Sequence, residues 1–150
     1  MNIEIKLSKN RISYKKAMDF LYKRVEEVKK GTNNELIWIL EHPKTYTAGI
    51  RFNPKEIIDK NLKILKTSRG GKLTLHNPGQ KIVYFVINLN RRKKDIRKFI
   101  SVIERSLIEF LKLFNIKARN DKKNIGIWVK NKKIAAIGLR VSRWVAFHGC

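Results

Sequence analysis

Three short clusters hold the side chains of this 150-residue chain that could do chemistry. Arg69-Gly70-Gly71, followed by His76, sets two glycines where backbone can approach a bound group closely, with a cation and an imidazole beside them. The motif matches neither the Walker pattern nor GxGxxG, so no nucleotide site is assigned to it. Lys133 opens the run Lys133-Ile134-Ala135-Ala136-Ile137-Gly138, a cation ahead of an apolar strand that ends in glycine. From the residues alone this is a strand flanked by a lysine whose stem lies along apolar surface. A lysine so placed can also lower the pKa of a neighbouring thiol. His148-Gly149-Cys150 holds the single cysteine, which can form no internal disulfide. His42, His76 and His148 are dispersed and lack carboxylates at ligand spacing, so no metal site is expected.

The elements that must position these clusters follow from periodicity. Ser13 precedes Ala17, Leu21, Val25 and Val28 at helical spacing, and Gly31 follows, so residues 14–30 are expected to form an amphipathic helix. The run 36–40 is apolar on both faces and reads as a central strand that Pro43 ends. Residues 62–66 suggest a short strand, and 72–76 alternate with Leu73 and Leu75 on one face. After the turn residues Asn77-Pro78-Gly79, residues 82–89 read as a buried strand, expected to pair with 72–76 as a hairpin. Ile96, Phe99, Ile100, Ile103, Leu107, Phe110, Leu111 and Phe114 make a stripe over five turns, predicting a long core-packing helix. Strands are expected at 126–129 and 133–137, and Val141, Arg143, Val145 and Phe147 continue a period of two. Clustered rather than alternating elements predict an α+β fold, a mixed β-sheet with packing helices, in one domain over 1–150. The chain stops inside a strand-like pattern, so that domain is expected to be incomplete at its C-terminus.

The formal charge is +23, from 35 basic and 12 acidic residues. A polyanionic partner is the obvious inference, but Lys, Ile and Asn, the residues AT-rich codons favour, are all abundant. Arg supplies only 11 of the cations and the lysines form no tract, so a solvated basic surface is expected without nucleic-acid binding. The charge leaves an acidic protein partner open. No apolar run nears the roughly 18 residues of a membrane span, and the N-terminus lacks an export signal, so a cytoplasmic, membrane-free protein is expected.

Taken together, the clusters resemble one family. ELIWILEHPKTYTAG (35–49) resembles the EHP-x-x-[FY]-T-x-G signature of lipoyl(octanoyl) transferases, and RGGKLTLHNPGQKIVYFVINL (69–89) is similar to their RGG-x-x-T-x-HGPGQ segment. GIWVKNKKIAAIGLRVSRWVAFHG (126–149) resembles their G-x-[WY]-V…KIAAIG-[VL]-R-x-x-R-W block. The match runs from residue 35 to the end in the family's order.

The resemblance implies the fold of the biotin/lipoate protein ligase-like catalytic domain. It implies an octanoyltransferase of lipoate biosynthesis that takes octanoyl from octanoyl-acyl carrier protein to the acceptor lysine of lipoyl domains through a cysteine thioester. Lys133 matches the lysine that lowers that cysteine's pKa. Substrate binding falls to Arg69, Gly70, Gly71, Lys72, Leu73, Thr74, Leu75 and His76, to Ala136, Ile137 and Gly138, and to His148, Gly149 and Cys150. No cofactor is implied, because the phosphopantetheine of acyl carrier protein carries the substrate. The family's nucleophile lies in a later PCG segment, so Cys150 is expected to line the pocket. Asn77 stands where the family has glycine; Asn tolerates left-handed backbone, so the turn is expected to form. The competing functions are an ATP-dependent lipoate or biotin ligase-like enzyme and a non-catalytic basic binding module.

Overall fold

A computed structural model describes residues 2–121 and 123–150. Along the chain run β1 (Ile3–Leu7), α1 (Tyr14–Lys30), β2 (Glu35–Leu40), β3 (Thr45–Ala48), β4 (Ile64–Lys66), β5 (Leu73–His76) and β6 (Ile82–Asn88). They are followed by α2 (Ile96–Lys112), β7 (Arg119–Asn120), β8 (Ile127–Val129), β9 (Lys132–Ala135), β10 (Gly138–Ser142) and β11 (Val145–Gly149). The α+β expectation holds, with strands distributed over three sheets. The chain divides into two compact units, one of residues 1–88 with 138–149 and one of residues 89–137 with Cys150.

In the first unit a five-stranded sheet has the order β1-β2-β6-β11-β10, with β1 and β2 parallel and the other neighbours antiparallel. The Ser13 hydroxyl caps α1 by accepting the Lys16 N–H, and Gly31 closes it in left-handed conformation at φ 75°. The helix buries Ala17, Leu21, Val25 and Val28 against Leu36, Trp38, Val86 and Phe147 of the sheet. β2 is paired on both edges, as its doubly apolar pattern requires. β1 is an edge strand whose Ile3, Ile5 and Leu7 are exposed. Its apolar–polar alternation is visible in the sequence.

The expected hairpin between 72–76 and 82–89 does not form. β5 joins β3 and β4 in a three-stranded sheet of order β4-β3-β5, while β6 lies in the large sheet. The two antiparallel pairs β2–β6 and β3–β5 are successive parts of one ribbon that turns a corner. Leu40 pairs with Ile82 and Thr45 with His76, so residues 41–44 on one leg and 77–81 on the other make the corner. Glu41 ties the two legs, accepting from Gly79 N at 2.9 Å and from Lys81 Nζ at 2.7 Å. In the turn itself Gln80 N donates to Asn77 O at 3.1 Å and the left-handed residue is Gly79, φ 86°. That is a type II turn with proline and glycine at its centre. Asn77 has no positive φ, so the glycine-like tolerance expected of it is not used.

The period-two pattern over 141–147 is also interrupted. β10 and β11 form a tight hairpin in which Arg143 (φ 48°) and Trp144 (φ 63°) supply both left-handed positions of a two-residue loop. Neither is a residue that such a turn favours, so periodicity gave no sign of it.

In the second unit, Asp95 caps α2 by accepting from Lys98 N at 2.9 Å. The helix is real, but of its predicted stripe only Ile103 is fully buried, and Phe110 and Phe114 are exposed, ring against ring at 5.2 Å. α2 is therefore not the core-packing helix that its stripe predicts. Among the described residues of this unit, the sheet that meets α2 is β7-β8-β9, through β7 and β8, and it is too small to cover five turns.

Candidate active site

Gly49, Gly70, Gly71 and Gly138 of the first unit meet backbone to backbone. Where the chain leaves β3, Gly49 N, Ile50 N and Arg51 N donate to Lys72 O, Arg69 O and Gly71 O, each at 3.0 Å. A Cβ on Gly49 would lie 2.5 Å from Gly71 O and 2.9 Å from Gly70 O. Gly70 N in turn donates to Leu139 O at 3.3 Å, and a Cβ on Gly138 would come 3.2 Å from Gly70 O. The loop 69–71 is therefore held between the end of β3 and the start of β10; Gly49 leaves no room for a Cβ, and at Gly70 and Gly138 a Cβ would press on the facing carbonyl at 3.1 and 3.2 Å.

Arg69 is the clamp of this loop. It is buried, and its guanidinium donates to Thr47 O at 2.8 Å, Thr47 Oγ1 at 2.9 Å, Gly70 O at 2.9 Å and Lys72 O at 3.0 Å. Burial holds its pKa below the ordinary arginine value. Most of its donors thus shape the loop, leaving Nε buried without a protein partner among the described residues. Lys72 is exposed, Leu73 to Leu75 are half-buried, and His76 is buried at the end of β5 with Nε2 3.4 Å from Thr47 Oγ1.

Around His76 lies a polar core that the sequence did not reveal. His42 and His76, 34 positions apart in the sequence, bring their rings to 5.3 Å, and Tyr14 stacks on His76 at 5.8 Å. His42 Nδ1 is 2.6 Å from Ile12 O and its Nε2 is 2.8 Å from Tyr84 Oη. A carbonyl only accepts, so Nδ1 carries the proton and Nε2 of the neutral ring accepts from the Tyr84 hydroxyl. Burial pushes the Tyr84 and Tyr14 phenols upward, Tyr14 to about 12, and lowers His42. Burial, together with the nearby His42 and Arg69, brings His76 down to about 4.

The third cluster enters through a strained residue. His148 has φ 67° within β11, so the strand's alternation breaks and its ring faces the same side as that of Phe147. The two rings stack at 5.0 Å, and both meet Tyr22 of α1 at 6.0 Å. His148 Nε2 lies 3.2 Å from Ser68 Oγ, which is also 3.0 Å from Tyr22 Oη. Burial, then Arg69 and Arg140, bring His148 to about 4. Gly149 fits because a Cβ there would stand 1.8 Å from Val83 O.

The expected residues thus separate. Arg69, Gly70, Gly71, His76, Gly138, His148 and Gly149 gather in the first unit, with Ser68 and Thr47 as unanticipated links. Lys133, Ala136 and Ile137 belong to the second unit. There Lys133 is exposed on the β8–β9 hairpin, its Nζ 3.1 Å from Ile125 O and 4.9 Å from the centre of the Trp128 ring. Gly126, at φ 137°, makes room for it, since a Cβ there would meet the Lys133 stem at 3.2 Å. Burial pushes the Cys150 thiol up to about 12. Of the missed residues, His42 and Gly49 lay inside a quoted motif; Tyr14, Tyr22 and Ser68 carried no signal that periodicity could expose.

The α+β fold of this chain is shared with solved lipoate-protein ligase structures. A putative lipoate protein ligase from T. acidophilum with bound lipoic acid superposes with TM-score 0.73 at 15% identity, covering 98% of this chain and 66% of that one. A lipoate-protein ligase A bound with ATP superposes with TM-score 0.71 at 14% identity, covering 98% and 64%. The family model described as "Lipoyl protein ligase A/B catalytic domain" matches residues 13–150, and the chain belongs to that family. Curated relatives named octanoyltransferase, from Bartonella tribocorum and from Wolbachia sp. subsp. Brugia malayi, are each 40% identical over 98% of the chain. The chain spans 66% of the first relative's length and 74% of the second's.

Proposed function

We propose that this chain carries the acyl-binding region of an octanoyltransferase that moves octanoyl from octanoyl-acyl carrier protein to the acceptor lysine of a lipoyl domain. The observation that carries this reading is the backbone-to-backbone packing of Gly49, Gly70 and Gly138 in a chain 40% identical to octanoyltransferases. Beside that packing three buried nitrogens, Arg69 Nε, His76 Nδ1 and His148 Nδ1, have no protein partner among the described residues. Buried polar atoms of this kind are normally satisfied, and a thioester carbonyl, or water accompanying it, supplies the partner.

In the proposed reaction a cysteine thiolate attacks the thioester carbonyl carbon, and the carrier's pantetheine thiolate leaves. The acceptor lysine's amine then attacks the new thioester, loses a proton, and expels the cysteine thiolate. Protein N–H groups beside the carbonyl stabilise the oxyanion of each tetrahedral intermediate. Lys133 is assigned the ammonium that favours thiolate over thiol. Cys150 is assigned to the pocket wall, since a thiol at about 12 is protonated at neutral pH. The acyl group arrives on the carrier's phosphopantetheine, and no further cofactor enters these steps.

Titration of the chain with octanoyl-acyl carrier protein and with free octanoate, each with and without ATP, tests this. Saturable, ATP-independent binding of the carrier-borne acyl group is expected. Uptake of free octanoate only with ATP would move the assignment to a ligase. Salt-sensitive retention on nucleic acid with no acyl binding would move it to a binding module.

A further inference from the structure

The connection from β3 to β4, residues 49–63, starts as one wall of the glycine cluster, through the three hydrogen bonds of Gly49, Ile50 and Arg51 to loop 69–72. Ile50, the middle residue of that bonded run, is 72% exposed, and Ile58 further along is 100% exposed. Arg51, Lys55, Lys60 and Lys63 are exposed in the same connection, against two acidic residues, Glu56 and Asp59. A single exposed isoleucine needs no explanation. Two of them among four cations and two acidic residues, on a segment whose first residues wall the glycine cluster, have the composition of an interface: apolar anchors on a segment of net positive charge.

We propose that residues 50–63 are the docking surface for an acidic protein that carries its acyl group as a thioester. This rests on the acyl-transfer reading, because a tethered acyl group can reach the glycine cluster only if its carrier sits beside it. Charge selects the partner: an acidic surface complements Arg51, Lys55, Lys60 and Lys63, and it speeds encounter in a salt-dependent way. Ile50 and Ile58 supply the contact that outlasts the encounter, since apolar anchors govern dissociation more than association.

The experiment is binding of holo-acyl carrier protein to the full 150-residue chain by surface plasmon resonance at low and raised salt. Three variants are compared: Ile50→Ser/Ile58→Ser, Arg51→Glu/Lys55→Glu, and a control, Lys16→Glu/Lys23→Glu, on α1. The first is expected to weaken binding about tenfold through faster dissociation, the second about tenfold through slower association with a flatter salt dependence, and the control less than twofold. Circular dichroism confirms that each variant is folded. Equal weakening by the control pair would overturn the proposal in favour of diffuse charge attraction. Unchanged carrier binding in the isoleucine variant, or loss only of vesicle binding or self-association, would also overturn it. Binding of octanoyl-pantetheine separates the two readings. If wild type binds it while carrier affinity ignores residues 50–63, only the docking surface fails; if it binds neither ligand, the acyl-transfer reading fails.

Discussion

Gly70 N reaches Leu139 O at 3.3 Å, joining the loop before β5 to a strand that begins 68 residues later. This backbone contact holds the glycine cluster together, and its tolerance of added volume can be ranked. Gly149 is the least tolerant position, because its Cβ would fall 1.8 Å from Val83 O and 2.8 Å from Val83 C, both backbone. Gly149→Ala is expected to destabilise by roughly 3 kcal/mol or more, and Gly138→Ala, at 3.2 Å from Gly70 O, by about 1 kcal/mol. Urea unfolding of the two variants checks the order; equal midpoints would contradict the packing of β11 on β6.

Acid is expected to destabilise the first unit in a defined window. His76 and His148 titrate at about 4 in the folded protein, below the ordinary 6.5. Between those values the unfolded chain binds the protons and the folded chain does not, so stability falls as pH drops from 6.5 to 4. The loss is bounded by about 3 kcal/mol per histidine. Unfolding free energy measured against pH should show this slope, and His148→Gln should flatten it; a profile level from pH 6.5 to 4 would contradict the burial of both rings.

The Ile12–His42–Tyr84 chain predicts non-additive substitutions. Tyr84→Phe leaves buried His42 Nε2 without its donor and is expected to cost about 1–3 kcal/mol. Adding Tyr84→Phe to His42→Leu should cost less than it does alone, because the acceptor it orphans is already gone. A double-mutant cycle with zero coupling would show that the hydrogen bond is not formed.

The β10–β11 turn offers a stabilising change. Left-handed Arg143 and Trp144 each carry a backbone cost, of order 1 kcal/mol, that Asn and Gly avoid. Arg143→Asn/Trp144→Gly is expected to raise the unfolding midpoint by a few degrees. Trp144 is 38% exposed, so part of its ring is packed; a lower midpoint would mean that this packing outweighs the relieved strain.

The sequence by itself determined the local elements whose signals are local. Ser13 and Gly31 bound α1 because a cap and a left-handed stop act within a few residues, and the doubly apolar run around Trp38 became a strand paired on both edges. The motif residues Arg69 to Gly71, Gly138 and His148-Gly149 were legible for the same reason, since each motif is contiguous in the chain.

Only the tertiary structure decided partnership. Asn77-Pro78-Gly79-Gln80 forms the same tight turn whether its strands pair with each other or turn a corner, and Glu41, far away in sequence, holds the corner. The stripe on α2 specified a helix but not what would cover it. His148 facing α1 beside Phe147 depends on a positive φ that no residue type in the segment announces. Burial beside Arg69 decides that His76 and His148 stay neutral, and burial depends on contacts between distant parts of the chain that residue spacing does not encode.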